Sequence, residues 1–267
     1  MSTTGAERVW RPDGAGSRAR IGVLTPHLDP VPESECQALA PEGVSVHTAR
    51  VPLGMVGPDG EIVPHIGPDA ARAFSEPPEV DNAVASLAPL GPGAIIYAFT
   101  SSSYILGSEA DAALEARLTK RAGGIPVVLQ TAAIVTALRN LSATRIALIH
   151  PPWFSDELDS LGAEYFGGQG FEVVHHGPAR LRQDFGDIRP EQIFDWAASH
   201  TPDDTDALVI GGGGFRAIGV IEALEARLDR PVVTANQAAM WRALRLAGVD
   251  DRLAHYGRIF SMGLPAR

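Results

Sequence analysis

The chain has 267 residues, 45% of them apolar, which suffices for one large core or for two domains of roughly 100–150 residues. Its formal net charge of −10 excludes nonspecific nucleic-acid binding, which needs a basic surface. Its single cysteine, Cys36, excludes an intrachain disulfide, and no apolar run approaches the roughly 20 residues of a bilayer span, so a cytoplasmic protein with no nucleic-acid or membrane partner is expected.

Residues 1–19 are polar and rich in Gly and Arg, and are expected to form a flexible tail rather than a signal peptide. Residues 20–26 (RIGVLTP) predict a first strand, stopped by Pro26, with a short helix over 33–39 and a second strand over 43–51. Residues 53–76 read as loop with a helix from Pro68, and 78–87 as helix. Residues 94–99 form a continuous apolar run of the buried parallel-strand type. Residues 100–104 are read as its loop and 109–121 as its helix. A strand over 127–130 and a helix over 131–141 follow. Strands are then expected over 145–150, 171–176, 207–210 and 232–234. They alternate with helices over 156–166, 190–199, 219–228 and 237–247. Such alternation predicts parallel α/β sheets.

One unit occurs twice. GAIIYAFTSSSYILGSEADAALEARL (93–118) and DALVIGGGGFRAIGVIEALEARL (206–228) are each an apolar run, a loop of tiny residues and a helix ending in ALEARL. A second strand and helix follow each: IPVVLQTAAIVTALRNL and RPVVTANQAAMWRALRLA. The fold class is therefore α/β, with two pseudo-symmetric lobes, at 20–131 and 132–236. Residues 237–267 are a C-terminal helix and tail packing back on the first lobe. Both loops fall at carboxyl ends of parallel strands, where open α/β sheets bind ligands. Facing each other, they would grip one ligand across the cleft.

In the second loop, Gly212, Gly213 and Gly214 allow a turn that exposes several backbone N–H groups beside a helix N-terminus, which suits a carboxylate or phosphate. The alternative is a tight turn that only glycine fits. In the first loop, Thr100, Ser101 and Ser102 offer hydroxyls and N–H groups to a carboxylate, or cap the helix. Tyr104 is a candidate proton carrier or a packing residue. Asp29, beside the first strand's end, is a candidate acid/base or an Asx-turn. His150, ending the 145–150 strand, suits acid/base work near neutrality or is structural. Asn236 and Gln237 bind a ligand carboxylate or cap the last helix; their repeat counterparts near Thr131 and Ala132 are less polar. His175 and His176 lack metal-ligand spacing, and no metal is expected.

Taken together, IGVLTPHLDPVPE, YAFTSSSYILG, LVIGGGGFRAI, VVTANQAAMWRALRLAGV and HYGRIF resemble the aspartate/glutamate racemase superfamily, in its maleate isomerase and arylmalonate decarboxylase branch, from about residue 20 to 260. The resemblance implies an active site between the lobes. It also implies a small carboxylate substrate and no metal or organic cofactor. Enzymes of this kind use one or two cysteines, one per lobe. Here Phe99 stands before the first Thr-Ser element and Gly212 stands in the second loop, and matching Ala94 to Ala207 brings those two positions opposite each other. Cys36 matches neither. Asp29 stands where maleate isomerases carry asparagine, and a family tyrosine falls near Pro152 and Trp153.

The expected function is a cofactor-independent lyase, isomerase or hydrolase that acts on a small carboxylate through a carbanion or enediolate without a catalytic cysteine. Asp29, His150 and Tyr104 are its candidate proton-transfer groups. Pro26, Phe99, Thr100, Ser101, Ser102, Gly212, Gly213, Gly214, Asn236 and Gln237 are its candidate substrate contacts. Phe99 makes one wall apolar and favours an aryl or alkyl group on the substrate. A non-catalytic carboxylate-binding regulator or sensor, and a relative whose ligand is not a carboxylate, remain alternatives. A homo-oligomer stays open.

Overall fold

β3 (Ala94–Tyr97) and its repeat partner β7 (Ala207–Ile210) are buried along their whole length, as strands covered on both faces must be. In the computed structural model, which describes residues 13–54, 66–182 and 188–265, each sits inside a four-stranded parallel sheet. The first sheet has the order β2-β1-β3-β4, with β1 Ala19–Pro26, β2 Val44–Val51 and β4 Val127–Leu129. The second repeats that order as β6-β5-β7-β8, with β5 Arg145–His150, β6 Glu172–Pro178 and β8 Val232–Thr234. The register repeats as well. Ile21 pairs with Ala94 as Ile146 pairs with Ala207, and Ile95 pairs with Val127 as Leu208 pairs with Val232. The two α/β lobes read from the duplicated unit are present, with Ala94 opposite Ala207.

The helices fill the connections: α1 Val31–Ala38, α2 Pro68–Ser75, α3 Glu79–Leu87, α4 Thr100–Arg121, α5 Gln130–Asn140, α6 Asp156–Gly168, α7 Pro190–His200, α8 Ile221–Leu228 and α9 Ala235–Leu246. Two expectations need correction. Residues 100–104 are not a loop; they open α4, and the strand-to-helix connection is only Ala98 and Phe99. Phe99 is an extended N-cap, so the Thr and Ser residues occupy first-turn positions, where their low helix propensity matters little. Gly107, with φ +82°, breaks α4 where the sequence had suggested a new start. The helix expected from residue 219 instead begins as a 3-10 turn, Ile218–Val220, before α8. The expected N-terminal tail falls mainly outside the described residues.

Strand alternation divides the core. Ala94, Ile96 and Ala98 join the large cluster shared by the lobes, while Ile95, Tyr97 and Phe99 face α2, α3 and α4 through Phe74, Val84, Leu114 and Leu118. α5 and α9 pack on each other, and α9 also touches α1, β3, β4 and β8. α9 thus fixes the lobes together. It also holds the chain's end. Trp241 Nε1 donates to the Met262 carbonyl at 3.0 Å, and buried Arg245 donates to the carbonyls of Val249, Asp251, Phe260 and Met262. Arg245→Ala would strand those acceptors, and we expect urea denaturation to show a loss of about 2–4 kcal/mol. A loss below about 0.5 kcal/mol would refute this role.

Candidate active site

The carboxyl ends of β1, β3, β5 and β7 converge on one small cavity of about 40 Å³. Its enclosed part has room for roughly three waters, or for one carboxylate and its carbon, and the cavity opens to solvent beyond that. Pro26 ends β1, Leu28 and Asp29 come from the β1–α1 connection, and Leu53 from beyond β2. Ala98 and Phe99 come from the β3–α4 connection, Thr100 and Ser101 from the start of α4, Trp153 and Phe154 from the β5–α6 turn, and Gly212, Gly213 and Gly214 from beyond β7. One wall is apolar, formed by Leu28, Leu53, Ile66 and Phe99. Phe99 is fixed there by Phe74, with ring centroids 4.5 Å apart.

Two donor sets border the cavity. The first-turn N–H groups of α4 lack intrahelical acceptors by the geometry of any helix, and the aligned peptide dipoles ahead of the break at Gly107 add positive potential. Opposite them, the N–H groups of Gly212, Gly213 and Gly214 donate to no other described residue. Gly212 has φ +83°, and a Cβ there would lie 2.6 Å from Pro151 Cγ, so the turn requires glycine. A Cβ on Gly214 would lie 2.8 Å from Asp29 Oδ2, which places that carboxyl directly on the glycine loop.

Asp29 is held by its own segment. Its N–H bonds the Pro26 carbonyl, and its carbonyl accepts from Thr25 Oγ1 and from Arg50 on β2. Oδ1 accepts the Val31 N–H at 3.0 Å, the Asx-type cap foreseen as the plain alternative. Oδ2 has no hydrogen-bond partner among the described residues and stays available to a ligand. Burial raises the carboxyl to about 6, against the Val31 bond and the Arg50 charge, which lower it. A group titrating there can exchange protons near neutrality and, when neutral, does not repel an anion.

The other acid/base candidates lie elsewhere. Tyr104 and His150 are buried and contact each other, but neither lines the cavity. Phe154 stacks on His150 at 5.0 Å between centroids and itself faces the cavity. His150 Nδ1 pairs with Asp159 Oδ1 at 2.6 Å, His176 Nδ1 pairs with the other oxygen at 2.6 Å, and Tyr104 OH lies 3.2 Å from His150 Nε2. Burial lowers the His150 pKa and outweighs Asp159, so the ring is neutral, donating from Nδ1 and accepting at Nε2. Burial pushes Asp159 up, but the His150 and His176 bonds prevail and keep it ionised. Gly211 and Gly162 clamp the ring, since a Cβ on either would come within 2.6 Å of it.

Ser102, Asn236 and Gln237 are also absent from the cavity lining. Ser102 donates to the Phe99 carbonyl and accepts from Tyr97. Gln237 closes a capping box with Thr234 and donates to the Tyr256 carbonyl. Asn236 donates to the Gly213 carbonyl at 2.8 Å and to Glu35 at 2.7 Å, so it acts on the glycine loop from behind. Its repeat counterpart by the sheet register is Thr131, but the neighbouring Gln130, at the start of α5, donates from Nε2 to Asn236 Oδ1 at 2.5 Å. Sequence reading missed Glu35 and Gln130. The signal for Gln130 was its position at the end of β4, one residue before the place where a counterpart was sought. Cys36 is fully buried on α1, and burial pushes its thiol pKa far up.

Comparison with known proteins agrees with this architecture. A family model for arylmalonate decarboxylase matches residues 75–260. An arylmalonate decarboxylase from Bordetella bronchiseptica is 27% identical over 168 residues, 60% of this chain and 68% of the relative. A maleate isomerase from Pseudomonas putida is 23% identical over 252 residues, covering 91% of this chain and 97% of the relative. Among solved structures, the maleate isomerase of Pseudomonas putida S16 with maleate superposes with TM-score 0.81 at 21% identity, covering 91% of this chain and 97% of that one. A Nocardia farcinica maleate cis-trans isomerase carrying a covalently bound succinylcysteine intermediate gives TM-score 0.77 at 25% identity, covering 91% and 98%.

Proposed function

This chain belongs to the arylmalonate decarboxylase family, and from that premise we propose that it is a lyase or isomerase acting on a small carboxylate that bears an aryl or alkyl group, without a catalytic cysteine and without a cofactor. The observation that carries this reading is the convergence of two backbone donor sets and one near-neutral carboxyl on a cavity with an apolar wall. In this reading the α4 N-terminus, with Thr100 and Ser101, and the Gly212–Gly214 N–H groups hold the substrate carboxylate. As a proton leaves the adjacent carbon, or carbon dioxide does, charge moves onto the carboxylate oxygens. Donors fixed in place before reaction stabilise that enediolate as an oxyanion hole does. Asp29 Oδ2 gives or takes the proton at carbon. Leu28, Leu53, Ile66 and Phe99 seat the apolar substituent. Tyr104 and His150 act at one remove, packing under Gly211.

The chain's one cysteine is buried on α1 and does not line the cavity, which supports chemistry unlike the succinylcysteine route of the Nocardia relative. Proton NMR in D2O with aryl- and alkylmalonates, maleate, aspartate, glutamate and 2-hydroxy acids tests the proposal. Enzyme-dependent loss of a carboxylate, or deuterium entering beside one, is expected. Tight calorimetric binding without any such change would establish a binding protein instead. No binding and no change across the panel would overturn the carboxylate assignment.

A further inference from the structure

Glu35 lies buried on α1, in the first lobe, yet its carboxylate is spent on the second. Oε1 accepts the Ile218 N–H at 3.1 Å, and Oε2 accepts Asn236 Nδ2 at 2.7 Å. That same Nδ2 donates to the Gly213 carbonyl at 2.8 Å, while Asn236 Oδ1 is taken by Gln130 Nε2. The segment after β7 is therefore held at two points, within the glycine loop at Gly213 through Asn236 and beyond it at Ile218 directly. Every group that bonds the carboxylate is a donor. A proton added to it would remove the negative charge that strengthens these bonds and so weaken the hold on Ile218 and Asn236.

We propose that Glu35 is a positioning residue for the glycine loop: as a carboxylate it fixes the direction of the Gly212–Gly214 N–H groups through Asn236 and Ile218, and on taking up a proton it releases them. The charged and titratable neighbours are few. Cys36 follows it on α1, Asp29 precedes that helix, and Arg216 shares with it a groove of about 400 Å³ at the lobe boundary, while α5 and α9 present the amides of Gln130 and Asn236. Burial raises Glu35 to about 7, with the Asn236, Ile218 and Ala217 donors opposing and the Asp29 charge adding to the rise. Proton uptake thus falls within the ordinary working range of pH. The consequence for catalysis rests on the proposed role of the glycine loop; the loop's own behaviour does not.

The test is residue-resolved amide exchange by NMR on the full chain at about pH 6 and about pH 8, corrected for intrinsic base catalysis, with no substrate present. In the parent protein, protection at Ala217 and Ile218 is expected to be roughly tenfold greater at the higher pH, as loss of a charge-assisted bond implies. E35Q is expected to show low protection that no longer changes with pH, while β7 and α9 amides stay protected and report an intact fold. Asn236→Ala, with Glu35 in place, is expected to loosen Phe215, whose N–H bonds the Gly212 carbonyl, at both pH values. Equal protection at the two pH values in the parent, or an undiminished pH response in E35Q, would overturn the proposal. Failure of the substrate panel would leave these exchange patterns unchanged, so the two readings fail separately.

Discussion

Asp29→Asn is expected to lower turnover by roughly 10²–10⁴-fold, the usual loss when a positioned acid/base is removed. The substitution keeps an Oδ1 acceptor for the Val31 N–H, so the segment remains folded while the titrating oxygen is lost. It should also stabilise the fold at alkaline pH. The folded carboxyl sits at about 6, above its ordinary 3.8, because burial disfavours its charge. A raised carboxyl contributes stability that is complete below the ordinary value and is lost as pH rises through about 6. Asp29 is half-buried, which discounts the effect to an order of 1–2 kcal/mol. Denaturation of parent and variant at about pH 4 and about pH 8 should therefore show the variant gaining on the parent only at the higher pH. Turnover within about threefold of the parent would remove Asp29 from proton transfer.

Gly212→Cys puts a thiol where the resemblance aligns the second family cysteine, and we expect it to lower turnover by roughly 10²–10³-fold rather than to install thiol chemistry. The backbone at 212 is left-handed, and the new Cβ would meet the Pro151 ring at 2.6 Å. Pro151 closes β5 and cannot swing aside as a flexible side chain would. The loop must move instead, and its N–H groups move with it. Gly212→Ala, which carries the steric change without the sulfur, should lose as much. A Gly212→Cys enzyme faster than the parent while Gly212→Ala is slow would show that the position still accepts the thiol.

Comparison of particular residues shows how far the sequence reached. The repeat put Ala94 opposite Ala207, and the sheet register agrees because identical strand order imposes identical pairing. The family resemblance, drawn from five short segments, is borne out by the match over residues 75–260. Asp29, Phe99, Thr100, Ser101 and the three glycines meet in one cavity because strand ends and adjacent loops are local features, placed by the fold class itself. His150 shows the limit. It ends a strand as Asp29 follows one, yet the turn through Phe154 closes it off and Asp159 on α6 claims its Nδ1. Glu35 shows the opposite case. Nothing local distinguishes it from Glu33 two residues earlier, which pairs with Arg50 at the surface.

The sequence by itself determined the duplicated α/β design and the loops that border the cavity. Those properties follow from hydrophobic periodicity, glycine placement and residue identity, which are written along the chain. Tertiary structure decided which polar side chains face the cavity and which are consumed by one another. The bonds joining Glu35, Asn236, Gly213 and Gln130, and those joining Tyr104, His150, Asp159 and His176, bring together residues from different helices and strands. The burial that shifts Glu35 upward and His150 downward arises only in the packed molecule, because desolvation and hydrogen bonding depend on neighbours from other elements and not on any one segment.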